Sequence, residues 1–292
     1  MLPLPFPSTD ALALADWLEI MAISRRSHRC SIRDLGRQLK RGSVLTDDQI
    51  DPEEAAADIV TELRTRAKAA ANSYPFNIDG TQIHLKSNFE DFLPYTFCLC
   101  LSFFGGARRP HSRLFPRRAF EKISTVAAGN YLRGESIRFG APRQGLPAKF
   151  DEALNKLCFL MGEGNGFRGS GGRMGQDDTL DVVAWKDSPD KRLGKLLMFG
   201  QCASGNDWKD KTHELQPSVF FRNWLMNEPI SHLKAFFIPH RIRDSEWRAT
   251  SNRAGIIFDR CRVAYWAQNR GEIPDSNECV RWCRWQLRKA NR

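Results

Sequence analysis

The sequence predicts an α/β chain: a mixed sheet of about five strands with helices on both faces, preceded by a helical N-terminal module. Three observations predict it. Two almost wholly apolar runs, residues 180–185 and 195–203, are separated by about seven residues rich in turn formers, which reads as a hairpin covered on both faces. Stretches of helical periodicity stand on either side of that hairpin. The 292 residues are 41% hydrophobic and include eight Trp and 19 Phe, enough to fill a sizeable core. The expected division is a helical module over residues 1–105 and the α/β domain over residues 106–292.

In chain order, residues 10–40 carry an apolar stripe at Leu12, Leu14, Trp17, Leu18 and Met21 and read as helix. Residues 46–71, opened by Thr46-Asp47-Asp48 and rich in Ala and Glu, read as a second helix. Turns at Tyr74-Pro75-Phe76 and Asp79-Gly80 precede a short strand over 82–86. The longest apolar stretch, 97–104, reads as a buried strand. Two roles are open for this module: binding DNA or a partner, or capping the core. A basic, Gly-rich link at 105–110 leads to a helix over 117–132 with Phe120, Ile123, Val126 and Ala127 on one face. A further helix spans 148–162, and the Gly-rich loop 162–175 precedes the hairpin. Short strands follow at 236–238 and 255–259.

Lys and Arg number 44 against 34 Asp and Glu, a formal charge of +10. That excess favours a polyanionic partner. The basic residues cluster at Arg108-Arg109, Arg113, Arg117-Arg118, 240–243 and 281–292. In the last segment Trp282 and Trp285 interleave with Arg281, Arg284, Arg288 and Lys289, as in a nucleic-acid grip or an amphipathic docking helix. No run of about 18 apolar residues exists, so no membrane span is expected, and the first ten residues lack the pattern of a signal peptide. The eight cysteines form no CxxC pair, and Cys279 and Cys283 lack the His/Cys partners of a zinc site. Reduced thiols in a cytoplasmic protein are the simple reading. The absence of GxSxG, HExxH and GxxxxGK[ST] patterns leaves no competing catalytic scheme.

The chemistry concentrates in the hairpin. If Asp187 faces Lys195, then Asp181 faces Gln201, and facing residues of antiparallel strands share one side. A carboxylate and an amide oxygen then meet at the hairpin mouth, a donor set suited to a hard cation. The structural alternative makes Asp181 a strand-start turn residue and Gln201 a hydrogen-bonded core amide. Asn206 or Asp207 can cap a helix that places Trp208 and Lys211 on one face, so that Lys211 reaches back toward the mouth. Lys195 stands at the far end of its strand.

The order of a helix Glu, an Asp at a strand start, (Glu/Gln)-x-Lys on the next strand and then a helix resembles the PD-(D/E)xK nuclease superfamily. The stretches Asp178-Thr179-Leu180-Asp181-Val182-Val183-Ala184-Trp185 and Phe199-Gly200-Gln201-Cys202-Ala203-Ser204-Gly205 look like its Gln-variant, Mrr-like group and a nuclease-like family of bacterial phage defence. The resemblance covers residues 115–265, roughly, and implies a restriction-endonuclease-like core. It implies metal-dependent DNA cleavage, in phage defence or restriction, with Mg²⁺ or Mn²⁺ held by Asp181, the Gln201 oxygen and the backbone carbonyl of Cys202. It also implies a first-helix acid, Glu121 or its rival Glu163. Asp177 and Asp178 flank the mouth as support or second-ion residues. The chain departs from the motif at Ala203, where the superfamily has Lys; Lys211 is the candidate replacement. DNA contacts are expected from Arg108, Arg109, Arg117, Arg118, Trp208, His240, Arg241 and Arg243. Asp259 beside Arg260 and Arg262 reads as a structural ion pair.

Two alternatives follow from the departures: a non-cleaving, nuclease-fold DNA-binding or scaffolding subunit, or a nuclease for RNA or branched DNA. Cleavage needs gating, so a partner ATPase, a helicase or a second copy of the chain is expected, docked through the helices near residues 12–21 and 53–71.

Overall fold

A computed structural model describes residues 10–41, 52–169, 178–268 and 271–291. The first half holds α1 (Ala11–Ser24), β1 (Arg29–Ser31), α2 (Ile32–Arg41), α3 (Pro52–Ala70), β2 (Phe76–Asp79), β3 (Gln82–Leu85) and α4 (Leu93–Phe104). Asp10 caps α1 by accepting from the Leu12 amide at 3.2 Å. The helix expected over 10–40 is thus two helices with a strand between them. The start expected at Thr46 for the second helix lies outside the described residues. The module is not wholly helical either: β1, β3 and β2 form a three-stranded antiparallel sheet in that order.

Residues 97–104 are a correction. They belong to α4, not to a strand. Pro94 sits in the first helical turn, where its missing N–H costs nothing, and Leu93 to Leu101 are all buried. A segment buried on every side has no polar face, so periodicity cannot tell a helix from a strand. The stripe on α1 is also spent inside the chain: Leu14, Trp17, Leu18 and Met21 are buried in the same apolar cluster. It is therefore not an outward docking surface.

The second half continues with α5 (Pro116–Leu132), β4 (Glu135–Arg138), α6 (Phe150–Met161), β5 (Val182–Lys186), β6 (Leu196–Cys202), α7 (Pro217–Trp224), β7 (His232–Phe237), α8 (Asp244–Ala254), β8 (Ile256–Phe258), α9 (Arg260–Gln268) and α10 (Ser276–Leu287). Strands β4 to β8 form a five-stranded sheet in sequence order. The first three pair antiparallel and the last two join in parallel, so the sheet is mixed. Helices α7 and α8 make the crossovers that parallel neighbours require. The hairpin register matches the sequence expectation: Val182 faces Gly200 and Lys186 faces Leu196.

Alternation along β5 and β6 sends side chains to two cores. Val183, Leu197 and Phe199 join a cluster with α6 and α7. Val182 and Met198 join the larger cluster, which runs from Leu14 to Ala290 and so crosses residue 105 without a break. All eight thiols are free.

A buried ionic network binds the N-terminal helices to the sheet domain. Arg260 donates to both Asp16 oxygens, at 2.6 and 2.8 Å, and to Ser102 of α4 at 2.7 Å. Arg66 of α3 reaches Asp16 at 2.6 Å, Glu19 at 3.0 Å and Glu62 at 2.7 Å. Arg241 pairs with Glu62 and Asp259. Tyr74 and Tyr95 donate to Glu19. Burial pushes the Glu19 carboxyl up; burial acts the same way on Asp16, but Arg260 and Arg66 outweigh it and hold that group well below the usual range. Removing one cation strands buried acids. Arg66→Ala should therefore lower unfolding stability by about 3–5 kcal/mol, measured by urea denaturation; a loss under about 1 kcal/mol would mean that the network does not hold the two halves together.

Candidate functional site

The site forms where α5, the end of β4 and the mouth of the hairpin meet. Helix α5 buries Phe120, Ile123 and Ala127 against the sheet. Its Glu121 accepts from Arg138 Nε, at the end of β4, at 2.6 Å. Beyond Arg138 the chain stays beside β5, with the Phe139 and Gly140 amides donating to the Asp181 carbonyl at 2.7 and 3.3 Å. A Cβ built on Gly140 would lie 2.9 Å from Asp181 Oδ1 and 3.0 Å from Glu121 Oε2. Both oxygens are thus within 3.0 Å of one point, and no more than about twice that distance separates them. Gly140 is the residue that leaves this point open.

Asp181 reaches the pair through a backbone kink. Asp178 and Thr179 adopt left-handed φ values of 46° and 65°, a conformation uncommon outside glycine. Asp178 is held there by the Trp224 indole N–H. The kink breaks alternation: Leu180 and Val183 both enter the α6–α7 cluster. Asp181 therefore turns away from that cluster, and its Oδ2 accepts from the Cys202 amide at 2.7 Å. Burial, reinforced by the nearby Asp181 and Glu121 carboxylates, pushes the Cys202 thiol well above its ordinary value. Cys202 faces the pair as a neutral group.

Gln201 does not join Asp181. The ladder ends at Val182 and Gly200, and the Asp181 amide donates to the Gly200 carbonyl instead of pairing with Gln201. Gln201 lies two positions beyond Phe199; its amide donates to Glu214, and its oxygen accepts from the Leu215 amide at 3.3 Å. Leu215 belongs to the α6–α7 cluster. The register was readable, but the kink at 178–179 divides the two expected ligands.

The other expected site residues are dispersed. Lys211 ends a short 3-10 turn, Trp208–Lys211, and pairs with Asp207 at 3.0 Å. Glu163 stands at the far end of the hairpin, accepting from the Gly194 and Lys195 amides at 2.8 and 2.9 Å and from the Ile230 amide at 3.3 Å. Lys195 is buried there too, on the Met161 carbonyl and Asp187. Asp177 lies outside the described residues. Arg138 and Gly140 escaped sequence reasoning; the signal was the alternation of Ile137 and Phe139 between Gly134 and Gly140, which marks a short strand.

The expected nucleic-acid contacts divide. Arg108 and Arg118 place their guanidinium carbons 4.0 and 4.2 Å from the Phe115 ring centre, near the start of α5. Arg109 lies 3.7 Å from Glu278. Arg117 is exposed and helps to lower the Asp207 carboxyl, after the larger effect of Lys211. Arg243 is half-exposed and pairs with Asp10. Trp208, His240 and Arg241 are interior, with Trp208 stacked on His240 and Arg241 held in the ionic network. Arg262 donates its amide to Asp259.

Among the described residues no group of three or more His, Cys, Asp or Glu could hold a metal ion. No helix described is long and apolar enough to cross a membrane. Comparison with family models, with curated proteins and with solved structures finds no match to this chain.

His240 supplies a pH test of this end of the sheet. Burial first, and then the Arg260 charge, push its ring down to about 4. Between that value and the unfolded value near 6.5 the unfolded chain binds the extra proton, so stability present above about pH 6.5 is lost as pH falls toward 4. The loss should reach about 3 kcal/mol in denaturation at stepped pH, and His240→Gln should flatten that slope. An unchanged slope would place the acid sensitivity elsewhere.

Proposed function

We propose that this chain is a divalent-cation-dependent phosphodiesterase of the PD-(D/E)xK nuclease type, acting on DNA. The observation that carries the reading is the meeting of Glu121 and Asp181 over Gly140. The order of elements supports it: an acid on α5, an acid just ahead of β5, the antiparallel strand β6 and then α7, followed by parallel strands. Mg²⁺ commonly takes one or two protein carboxylates and completes its shell with water and substrate phosphate oxygens. Two converging carboxylates fit that donor set, and Mn²⁺ favours the same oxygen ligands. Bound there, such an ion lowers the pKa of water and offsets charge on the departing oxygen.

The chain's own residues do the positioning. The Cys202 amide fixes Asp181. Arg138 orients Glu121 and brings positive charge to the edge of the pair, where phosphate charge builds during displacement. Arg138 thus takes the place that the sequence suggested for Lys211. A second reading, a DNA-binding subunit that does not cut, is favoured by the engagement of Glu121 with Arg138 and of Gln201 with Glu214.

Purified protein incubated with Mg²⁺ on plasmid DNA, single-stranded DNA and RNA separates these readings. Cleavage of DNA is expected with Mg²⁺ and not with a chelator. Asp181→Ala and Glu121→Gln should each reduce the rate on the order of 10²-fold or more, as for loss of one electrostatic stabiliser. Gly140→Ala should also slow cleavage, by driving a methyl group between the two carboxylates, and should lower stability by about 1–3 kcal/mol, because Asp181 and Glu121 can give way only by loosening their bonds to the Cys202 amide and Arg138. Arg138→Ala should cost more than Lys211→Ala. DNA bound tightly and left intact by the wild type under all conditions would favour the non-cleaving subunit; RNA cut in place of DNA would correct the substrate.

A further inference from the structure

A basic cavity of about 430 Å³ opens beside α5. Five cationic residues line it: Arg113, Arg118, Lys122, Arg138 and Arg143. Its two acids are already engaged, Asp275 by Lys122 at 2.7 Å and Glu278 by Arg281 at 2.6 Å. Among the described residues, Arg113 and Arg118 have no carboxylate within ion-pair distance. Arg138 is 6% exposed; its Nε holds Glu121 and its Nη1 donates to the Pro142 carbonyl at 2.9 Å, yet its Nη2 is buried without a partner. A buried guanidinium N–H left unpaired is costly. That Nη2 atom lies 3.6 Å from a Cβ built on Gly140, beside the acid pair, so the case for an anion in the cavity rests on its other cations, Arg113 and Arg118 above all.

We infer that this cavity binds the phosphomonoester of a nucleotide, delivered as the phosphorylated end of a nucleic-acid strand. The chemistry selects the ligand. A terminal phosphate carries about two negative charges and three acceptor oxygens, which several guanidiniums can share through charge-assisted bonds. An internal phosphodiester offers one charge and passes through a groove, whereas this recess is lined from three directions, by α5, by the 142–144 loop and by the start of α10. Leu114, Ala119 and Pro142 give it an apolar wall against which a sugar can rest. Arg138 borders both sites: its Nε holds Glu121, and its side chain lines the cavity. A strand end held there places the adjoining nucleotides beside Glu121 and Asp181. This inference rests on the reading of the chain as a nucleic-acid-binding protein, not on cleavage.

Binding in a chelator, where no cutting occurs, tests it apart from the nuclease reading. Fluorescent DNA strands of about ten nucleotides, with a 5′-phosphate, a 3′-phosphate or hydroxyl ends, are titrated against wild type, Arg113→Ala/Arg118→Ala and Arg118→Lys. One phosphorylated strand should bind about tenfold tighter than the hydroxyl strand. The double variant should lose that preference while melting like the wild type, and Arg118→Lys should keep most of it. If dAMP displaces the phosphorylated strand as well as an unlabelled strand does, the same site takes free nucleotides. Equal affinity for phosphorylated and hydroxyl strands, with no binding of dAMP, overturns the inference and leaves the cleavage assay to decide the nuclease reading alone.

Discussion

The Asp16–Arg260 pair is the contact on which the remainder of the structure depends. Arg260 follows β8 at the start of α9 and is fully buried, and Asp16 lies on α1, partly buried. Around them stand four acids, Asp16, Glu19, Glu62 and Asp259, against three guanidiniums, Arg66, Arg241 and Arg260. Buried ions are tolerated when each has close partners. Burial pushes the Glu19 carboxyl up, and two tyrosine hydroxyls donate to its oxygens. The geometry demands that α1, α3, α4 and the end of the sheet occupy one arrangement, because any slip would leave a charge unpaired in an apolar interior. The N-terminal residues are thereby part of the same core as the sheet.

The consequence reaches the site through the turn after β7. Arg260 also donates to the Pro239 carbonyl at 3.1 Å, and the neighbouring His240 ring stands 3.2 Å from the Gly205 carbonyl, just past the end of β6. The segment that follows the Cys202 amide is therefore pinned from below by the network and from the side by Trp208. From the opposite direction α5 delivers Glu121 and β4 delivers Arg138. The acid pair owes its position to three separately anchored segments, and its openness to the missing side chain at Gly140.

The surroundings of the pair are unbalanced in charge. Two carboxylates face each other, while the recess beside them is lined by five cations against two acids. Such a field draws phosphate groups toward the carboxylates, which by themselves would repel them. Arg138 is the point where the two meet, since its side chain borders both.

Much of this was legible in the sequence, and what was hidden had local physical causes. The hairpin register followed from the pairing of Asp187 with Lys195, because a period of two fixes every later pair once one is set. The helices with one apolar stripe, α5 and α6, could be read from periodicity, and Glu121 and Asp181 could be singled out by residue type and order. The helix α4 could not, since burial on all sides erases the pattern that distinguishes helix from strand. The division of Asp181 from Gln201 could not, since it turns on two successive left-handed residues, Asp178 and the β-branched Thr179, a type that seldom adopts that conformation. Nor could the fate of Arg241 and Arg260, which look like surface charges in sequence and are buried by acids from α1 and α3, far away along the chain. The sequence by itself determined the β5–β6 hairpin, its register and the residue types available for chemistry, because those depend on neighbours along the chain. Tertiary structure alone decided which acids meet, which arginine serves them and which charges are spent inside, because those depend on segments brought together only by folding.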